Sequence, residues 1–292
     1  MGILLGVATA LSWGGADFLA RFAARRFGSL RATFFLQAWG FLLLTVFLSF
    51  TRHWGHLFDG SGWRPWAWGL LAGVINTLAM LALYRSFEIG KLSVVAPISA
   101  SYPVLTAVLS ALTGEVLSLG REFGIAVTIL GVVLVARGEA GAGAPQGQSA
   151  PARRNTTAVL WALAAAAGFG VLFWLLGIRI MPMAGALASI WLIRLGGTII
   201  LLFVLAKRHA LMTPLGRAGG LQTAGMGLFD TGAFVLSNLG MQMEQVSVIT
   251  VLGSLYGAVT IGLAALFLRE RVARLQWLGI ALVFLGIFLI SR

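Results

Sequence analysis

Polar residues are sparse along this chain, and where they gather they mark the ends of long apolar runs. That pattern predicts ten membrane-spanning helices, at 3–21, 32–51, 66–84, 92–113, 122–136, 157–178, 184–206, 218–239, 246–268 and 275–291. Apolar runs of about 20 residues suffice to cross a hydrocarbon core roughly 30 Å thick. A transmembrane β-barrel would need alternating segments of about ten residues instead, and the sequence has none of that alternation. The first run has no basic segment before it and continues directly into the next element, so it reads as a span and not as a cleaved signal. Between the fifth and sixth spans lies "RGEAGAGAPQGQSAPARRNT", 137–156. Its Gly, Ala, Pro, Ser and Gln cannot bury a core, so 138–156 reads as a flexible linker. The domain expectation is therefore five spans over 1–137, the linker, and five spans over 157–292.

The two sets of spans resemble each other. "GIAVTILGVVLVAR" (124–137) and "GIALVFLGIFLISR" (279–292) share seven identities in fourteen positions. "SVVAPISASYPVLTAVLSALTGE" (93–115) aligns with "SVITVLGSLYGAVTIGLAALFLRE" (247–270) with one insertion, and the same offset places Asn76-Thr77 on Asp230-Thr231 and Tyr102 on Tyr256. A repeat of membrane spans points to a transporter. Because five is odd, the second set is inverted relative to the first.

Composition agrees with this pattern: 59% of the residues are hydrophobic and 10% charged, against about a quarter charged in soluble domains. The net charge of +12 does not indicate a nucleic-acid partner, because the cations sit in short loops between spans, where they orient membrane proteins. Their bias reverses between the halves, as inversion requires. Fifteen fall in loops 1–2, 3–4, 5–6, 7–8 and 9–10 and five on the other side, which by the charge rule alone puts both termini outside. With no cysteine, disulfides and thiolate metal sites are excluded. His53, His56 and His209 fall in loops and read as solvated. No cofactor or metal is expected.

The repeat, the Pro-rich fourth span "APISASYPVLTAVLSALTGE" with its echo ending in Arg269-Glu270, and "LSWGGADF" in the first span resemble the drug/metabolite transporter superfamily, specifically its EamA-type members. That resemblance covers essentially the whole chain. It implies an all-α integral membrane protein, ten transmembrane helices as two inverted five-helix repeats, with a central cavity between the halves, alternating access, and a place in the bacterial inner (plasma) membrane. The superfamily's usual topology has both termini in the cytoplasm, opposite to the charge count, so orientation stays open. Monomer and dimer both remain open.

Ionisable residues at membrane depth are candidate functional groups. Asp230 lies about 16 Å into the eighth span and Arg194 about 15 Å into the seventh, so the two can pair near the midplane. Asp17 shares a helical face with Trp13. If the first helix ends near residue 21, Asp17 lies about 6 Å from the interface, with Arg21 four residues on as a partner. Asn76, Gln37 and Asn238 are polar groups within spans that serve either a ligand or a neighbouring helix. Tyr102, Tyr256, Trp13, Trp174 and Trp191 are aromatic candidates for the cavity wall. Trp54, Trp63, Trp66, Trp68 and Trp277 flank span ends like an interfacial belt. Glu88 and Glu244 read as solvated. Glu115 and Glu270 read as helix caps or as partners of Arg121, Arg271 or Arg274. Pro97 and Pro103 interrupt the fourth span, and Gly253 and Gly257 stand at the matching place in the ninth, so these four are hinge candidates.

The functional expectation is a secondary-active transporter with a small-molecule substrate and the lipid bilayer as partners. A midplane Arg beside carboxylates suits zwitterions, so export of amino acids or similar amphipathic metabolites comes first, and a multidrug or cationic-compound exporter second. A channel or structural subunit ranks lower, given the repeats and broken helices. An enzyme is not expected, because no His or Cys lies at membrane depth. No GxxxxGK[ST] stretch occurs, so the chain carries no P-loop.

Overall fold

The computed structural model describes residues 1–114, 118–141, 149–208, 215–243, 252–253, 255–270 and 272–290. Among these, every regular element is helical: α1 (Gly2–Phe27), α2 (Ser29–Thr51), α3 (Arg64–Ile89), α4 (Leu92–Ser99), α5 (Pro103–Leu112), α6 (Leu119–Gly141), α7 (Ser149–Leu175), a wider π-type turn over Leu176–Ile180, α8 (Met181–Ala184), α9 (Ala186–Lys207), α10 (Gly216–Met243), α11 (Tyr256–Leu268) and α12 (Arg274–Ile290). This is the structure a bilayer demands, since lipid offers no partner for an unpaired backbone group. Seven segments are long and apolar enough to cross a membrane, counting Leu92–Leu112 as one. With the 28-residue α10 and the shorter apolar α11 and α12 they make ten spans in two sets of five. Large apolar side chains such as Phe50, Leu78, Leu160, Phe203 and Leu266 point outward, an arrangement suited to lipid and not to water.

The packing has twofold symmetry. Helix α1 lies on α10 as α7 lies on α3; α3 lies on α9 as α10 lies on α2; α1 lies on α11 as α7 lies on α4 and α5. Two pairs cross the axis itself, α2 with α9 and α6 with α12. Small residues permit the second crossing: a Cβ on Gly131 would come 2.7 Å from the Gly279 carbonyl oxygen, and one on Gly279 would come 2.8 Å from that of Gly131. Gly69 and Gly73 serve the same end, facing Leu192 and Ile193 of α9.

Several helices outrun the apolar stretches that predict them. α1 continues to Phe27, not to residue 21, because its last turns bury Ala20, Ala23 and Ala24 against protein. Helix also enters the segment expected as linker, to Gly141 and from Ser149, while 142–148 lie outside the described residues. The fourth span breaks at residues 100–102. Pro103 opens α5, where its missing N–H has no intrahelical partner to lose, whereas Pro97 stays inside α4. Both halves meet other helices, unequally: all eight residues of α4 are buried and none of the ten in α5.

That inequality closes one end of the bundle. At the loop 1–2 end, Ala20, Leu83, Phe87, Val95, Ile98, Ala162 and Ala264 belong to one continuous core. An ionic clasp seals it. Arg21 pairs with Glu270 at 2.8 Å, and Glu270 accepts hydrogen bonds from the Ser93 N–H (3.1 Å) and hydroxyl (2.9 Å), capping the first turn of α4. Arg25 donates to the Gly90 carbonyl at 3.0 Å. Arg21 is therefore not the partner of Asp17, because α1 carries it past the cavity to the span ends. Glu270 takes Arg21 and not Arg274, while Glu115, Arg271 and Glu244 lie outside the described residues. Glu88 is not free in solvent either: it pairs with Arg85 at 2.8 Å and accepts the Ser29 N–H at the start of α2.

At the opposite end the loop between α2 and α3 docks on α8, with the His56 N–H donating to the Ala184 carbonyl at 3.2 Å. Hydrogen bonds from Ser61 and His56 hold the Asp59 carboxyl down at about 2. Trp54 and Trp66, expected in an interfacial belt, instead pack their rings on Trp191, while Trp63 and Trp277 are exposed.

Candidate functional site

A cavity with about 560 Å³ of empty volume, its opening included, lies where the two repeats meet. The first repeat lines it with Trp13 and Asp17 of α1, Asn76, Met80 and Leu83 of α3, and Tyr102 at the α4–α5 break. The second contributes Phe169, Leu172 and Phe173 of α7, Arg194 of α9, Asp230 and Phe234 of α10, and Tyr256 of α11. Such a space, apolar and aromatic with few polar groups, is the usual form of a small-molecule site.

Its walls follow the twofold axis. Trp13 and Tyr256 meet edge to face at 6.1 Å, and their counterparts Phe169 and Tyr102 do so at 6.4 Å. Behind the tyrosines, a Cβ on Gly14 would lie 3.1 Å from the Tyr256 carbonyl oxygen, and one on Gly170 would lie 3.1 Å from that of Tyr102. Thr260 reaches the Gly14 carbonyl at 3.5 Å, as Thr106 reaches that of Gly170 at 3.1 Å. These glycines let the cavity-lining helices touch backbone to backbone, which fixes where the tyrosines stand.

The polar groups depart from that symmetry. Arg194 is almost wholly buried. One terminal nitrogen bonds Asp230 and the other donates to Gln37 Oε1 at 2.7 Å, while the guanidinium lies 5.2 Å above the Phe234 ring. The midplane pairing expected of Asp230 and Arg194 is thus made. Gln37 and Arg194 hold equivalent positions on α2 and α9, each followed three residues on by a glycine, Gly40 and Gly197, pressed against the other repeat. A Cβ there would come 2.8 Å from Thr231 Oγ1 and 2.9 Å from Thr77 Oγ1, respectively.

Asp17 has no such partner. Helix α1 does not end near residue 21 but runs on to Phe27, ten residues or about 15 Å beyond Asp17. Asp17 is buried and lines the cavity. Among the described residues nothing hydrogen-bonds its buried Oδ2, and the Asn76 Nδ2 is likewise buried without a partner. The ten candidates thus separate. Asp230, Arg194, Asn76, Asp17, Tyr102, Tyr256 and Trp13 share the cavity wall. Gln37 stands behind it on Arg194. Trp191, one turn before Arg194 on α9, does not line it and instead donates to Thr45 Oγ1 at 2.8 Å within the Trp54–Trp66 cluster. The side chain of Asn238 lies outside the described residues. Of the hinge candidates, Gly257 packs against α4, where a Cβ would meet Ala100 Cβ at 3.2 Å, and Gly253 faces Thr9 and Trp13. The sequence reading missed Phe169, Phe173, Phe234 and Met80. Extending the repeat alignment finds Phe169 and Phe173, which fall on Trp13 and Asp17, whereas Met80 and Phe234 fall on each other, four residues after Asn76 and Asp230.

Comparison with known proteins agrees with this architecture. The model of the EamA-like transporter family matches residues 1–137 and 156–292. The chain belongs to that family, and it is a multi-pass membrane transporter of the drug/metabolite superfamily. One crystal structure, described only as that of a protein, is similar with a TM-score of 0.64 at 18% identity, over 99% of this chain and 95% of that one; this likeness concerns the fold. No curated protein gives a significant match.

Proposed function

We propose that this transporter exports amphipathic compounds with one cationic centre and an aromatic or apolar body, as a secondary-active carrier in a bacterial inner membrane. The observation that carries the proposal is the charge balance of the cavity. Asp230 is neutralised by Arg194, whose terminal nitrogens are both engaged, so Asp17 is the charge left without a partner among the described residues lining the wall. Six aromatic rings surround it, and an aromatic face attracts a cation by about 0.5–2 kcal/mol. A carboxylate ligand taking the terminal nitrogens of Arg194 would have to open the Arg194–Asp230 pair, at about 3–5 kcal/mol if one partner is lost, and the unbonded Arg194 Nε is buried on the Gly40 side. This reverses the sequence expectation, in which Arg194 is free to clamp a carboxylate.

A zwitterion stays as the second reading, because the unpartnered Asn76 Nδ2 offers a donor in the same cavity. Counterflow in proteoliposomes separates the two. 1-Methyl-4-phenylpyridinium should exchange saturably while phenylalanine does not. Exchange of phenylalanine alone would establish the zwitterion, and exchange of neither would overturn both.

A further inference from the structure

At the loop 1–2 end, cations from both repeats gather where the ends of α9 and α10 flank the start of α2. Arg26 and Arg31 precede and follow the turn at Gly28, and their guanidinium carbons lie 5.2 and 5.7 Å from the centre of the Phe27 ring. That ring is seated on α10, where a Cβ on Gly219 would stand 2.5 Å from Phe27 Cζ. Arg217, two residues before that contact, is exposed. Lys207 and Arg208 are exposed at the end of α9, whose Leu205 packs with Leu30 and Phe34 in the first turns of α2. The carboxylates described at this end are engaged elsewhere, Glu88 with Arg85 and Glu270 with Arg21. The group is therefore an excess of positive charge, three members of which rest on aromatic rings.

Deeper in the membrane an apolar strip continues from it. Phe35, Ala38 and Trp39 of α2 are half-buried. On one side Leu201 and Leu205 of α9 back Phe35 and Ala38, and on the other Gly227 of α10 is pressed on Trp39. Helices α9 and α10 each pack closely on α2 and hardly touch each other, so α2 faces lipid in a shallow trough between them. The Lys207 ammonium lies 4.4 Å from the centre of the exposed Phe203 ring, the posture of a cation at the level where a span meets water. A free anion would use the cations and leave the trough bare. A phospholipid of net negative charge uses both, and each cation near an anionic headgroup is worth about fivefold in affinity. We propose that this surface is a binding site for an anionic phospholipid, with the phosphate among Arg26, Arg217 and Lys207 and an acyl chain along Phe35 and Trp39. The headgroup joins helix ends from both repeats and so braces the sealed end of the bundle. The site lies on the lipid-facing surface and does not depend on what the cavity carries.

The test uses the full chain in dodecyl maltoside micelles titrated with dioleoylphosphatidylglycerol. Binding is read as lipid adducts in native mass spectra and as a rise in melting temperature. Wild type should show both, and dioleoylphosphatidylcholine should give a much smaller response. Arg26→Gln/Arg217→Gln should need about thirtyfold more phosphatidylglycerol for the same rise, at about fivefold per cation. Arg137→Gln/Arg274→Gln removes as many cations from the same end, beside α6 and α12, and should leave the titration unchanged. Equal losses in the two double variants would reduce the site to a diffuse positive surface and overturn the proposal. A titration untouched by Arg26→Gln/Arg217→Gln overturns it as well. So does an equal response to phosphatidylcholine, or the full rise with inorganic phosphate alone.

Discussion

The two repeats share one frame and carry different chemistry. Position for position, Tyr102 and Tyr256, Gly14 and Gly170, Thr106 and Thr260, and Gly40 and Gly197 make matching contacts. Yet where the second repeat pairs Arg194 with Asp230, the first holds Gln37 and Asn76, two amides that leave Nε2 and Nδ2 unsatisfied. Where the second stacks Phe173 on Tyr102, the first sets Asp17. The contrast separates what the fold requires, small residues at helix crossings, from what the cavity uses, a few polar groups that need not obey the symmetry. The ends differ as well. The loop 1–2 end is sealed by a continuous core and the Arg21–Glu270–Ser93 clasp, whereas α5, toward the other end, is only half buried.

The largest expected effect comes from breaking the charged pair. Asp230→Ala strands Arg194 in a buried site and should lower unfolding stability in micelles by about 3–5 kcal/mol. Asn76→Ala, at the matching position, removes an amide with no charge partner and should cost about 1 kcal/mol. Arg194→Gln with Asp230→Asn gives the second repeat amides like those of the first and should recover most of the loss, since replacing a whole buried pair is often near neutral. Equal losses for Asp230→Ala and Asn76→Ala would end the comparison.

The glycine seam gives a smaller, symmetric effect. A Cβ on Gly14 would stand 2.6 Å from Val259 Cβ, and one on Gly170 would stand 2.7 Å from Leu105 Cβ. Gly14→Ala and Gly170→Ala should therefore each cost about 1–3 kcal/mol through overpacking, read as matched falls in melting temperature. A large loss at one and none at the other would show the seam to be one-sided.

The threonines give the finest test. Thr106 bonds the Gly170 carbonyl at 3.1 Å, whereas Thr260 only just reaches that of Gly14 at 3.5 Å. Interhelical hydrogen bonds in membranes average about 0.6 kcal/mol. Thr106→Val should approach that loss and Thr260→Val should fall below it, measured as the same melting shift. The reverse order would show that the two seams are not closed to the extents seen here.

Much of the frame was legible in the primary structure. The apolar runs mark ten spans, and the repeat alignment pairs Asn76 with Asp230 and Tyr102 with Tyr256, both of which meet in the cavity. The partner of Asp230 was legible because two charges at equal depth on consecutive spans leave few alternatives. The misreadings have a common cause. Arg21 was judged by proximity along one helix and Trp191 as an aromatic residue within a span, but whether a side chain faces cavity, core or span end depends on which neighbouring helix arrives and at what angle.

The sequence by itself determined the helices, their membrane setting and the repeat, because each follows from local hydrophobicity and from the need to satisfy every backbone group in lipid. Tertiary structure alone decided that Arg21 goes to Glu270, that Gln37 and Asp230 together occupy Arg194, and that Asp17 is therefore left alone. Charge pairing at a midplane cavity depends on contacts between spans far apart in the chain, Arg21 with Glu270 among them, and no local pattern fixes which of several cations a carboxylate will meet.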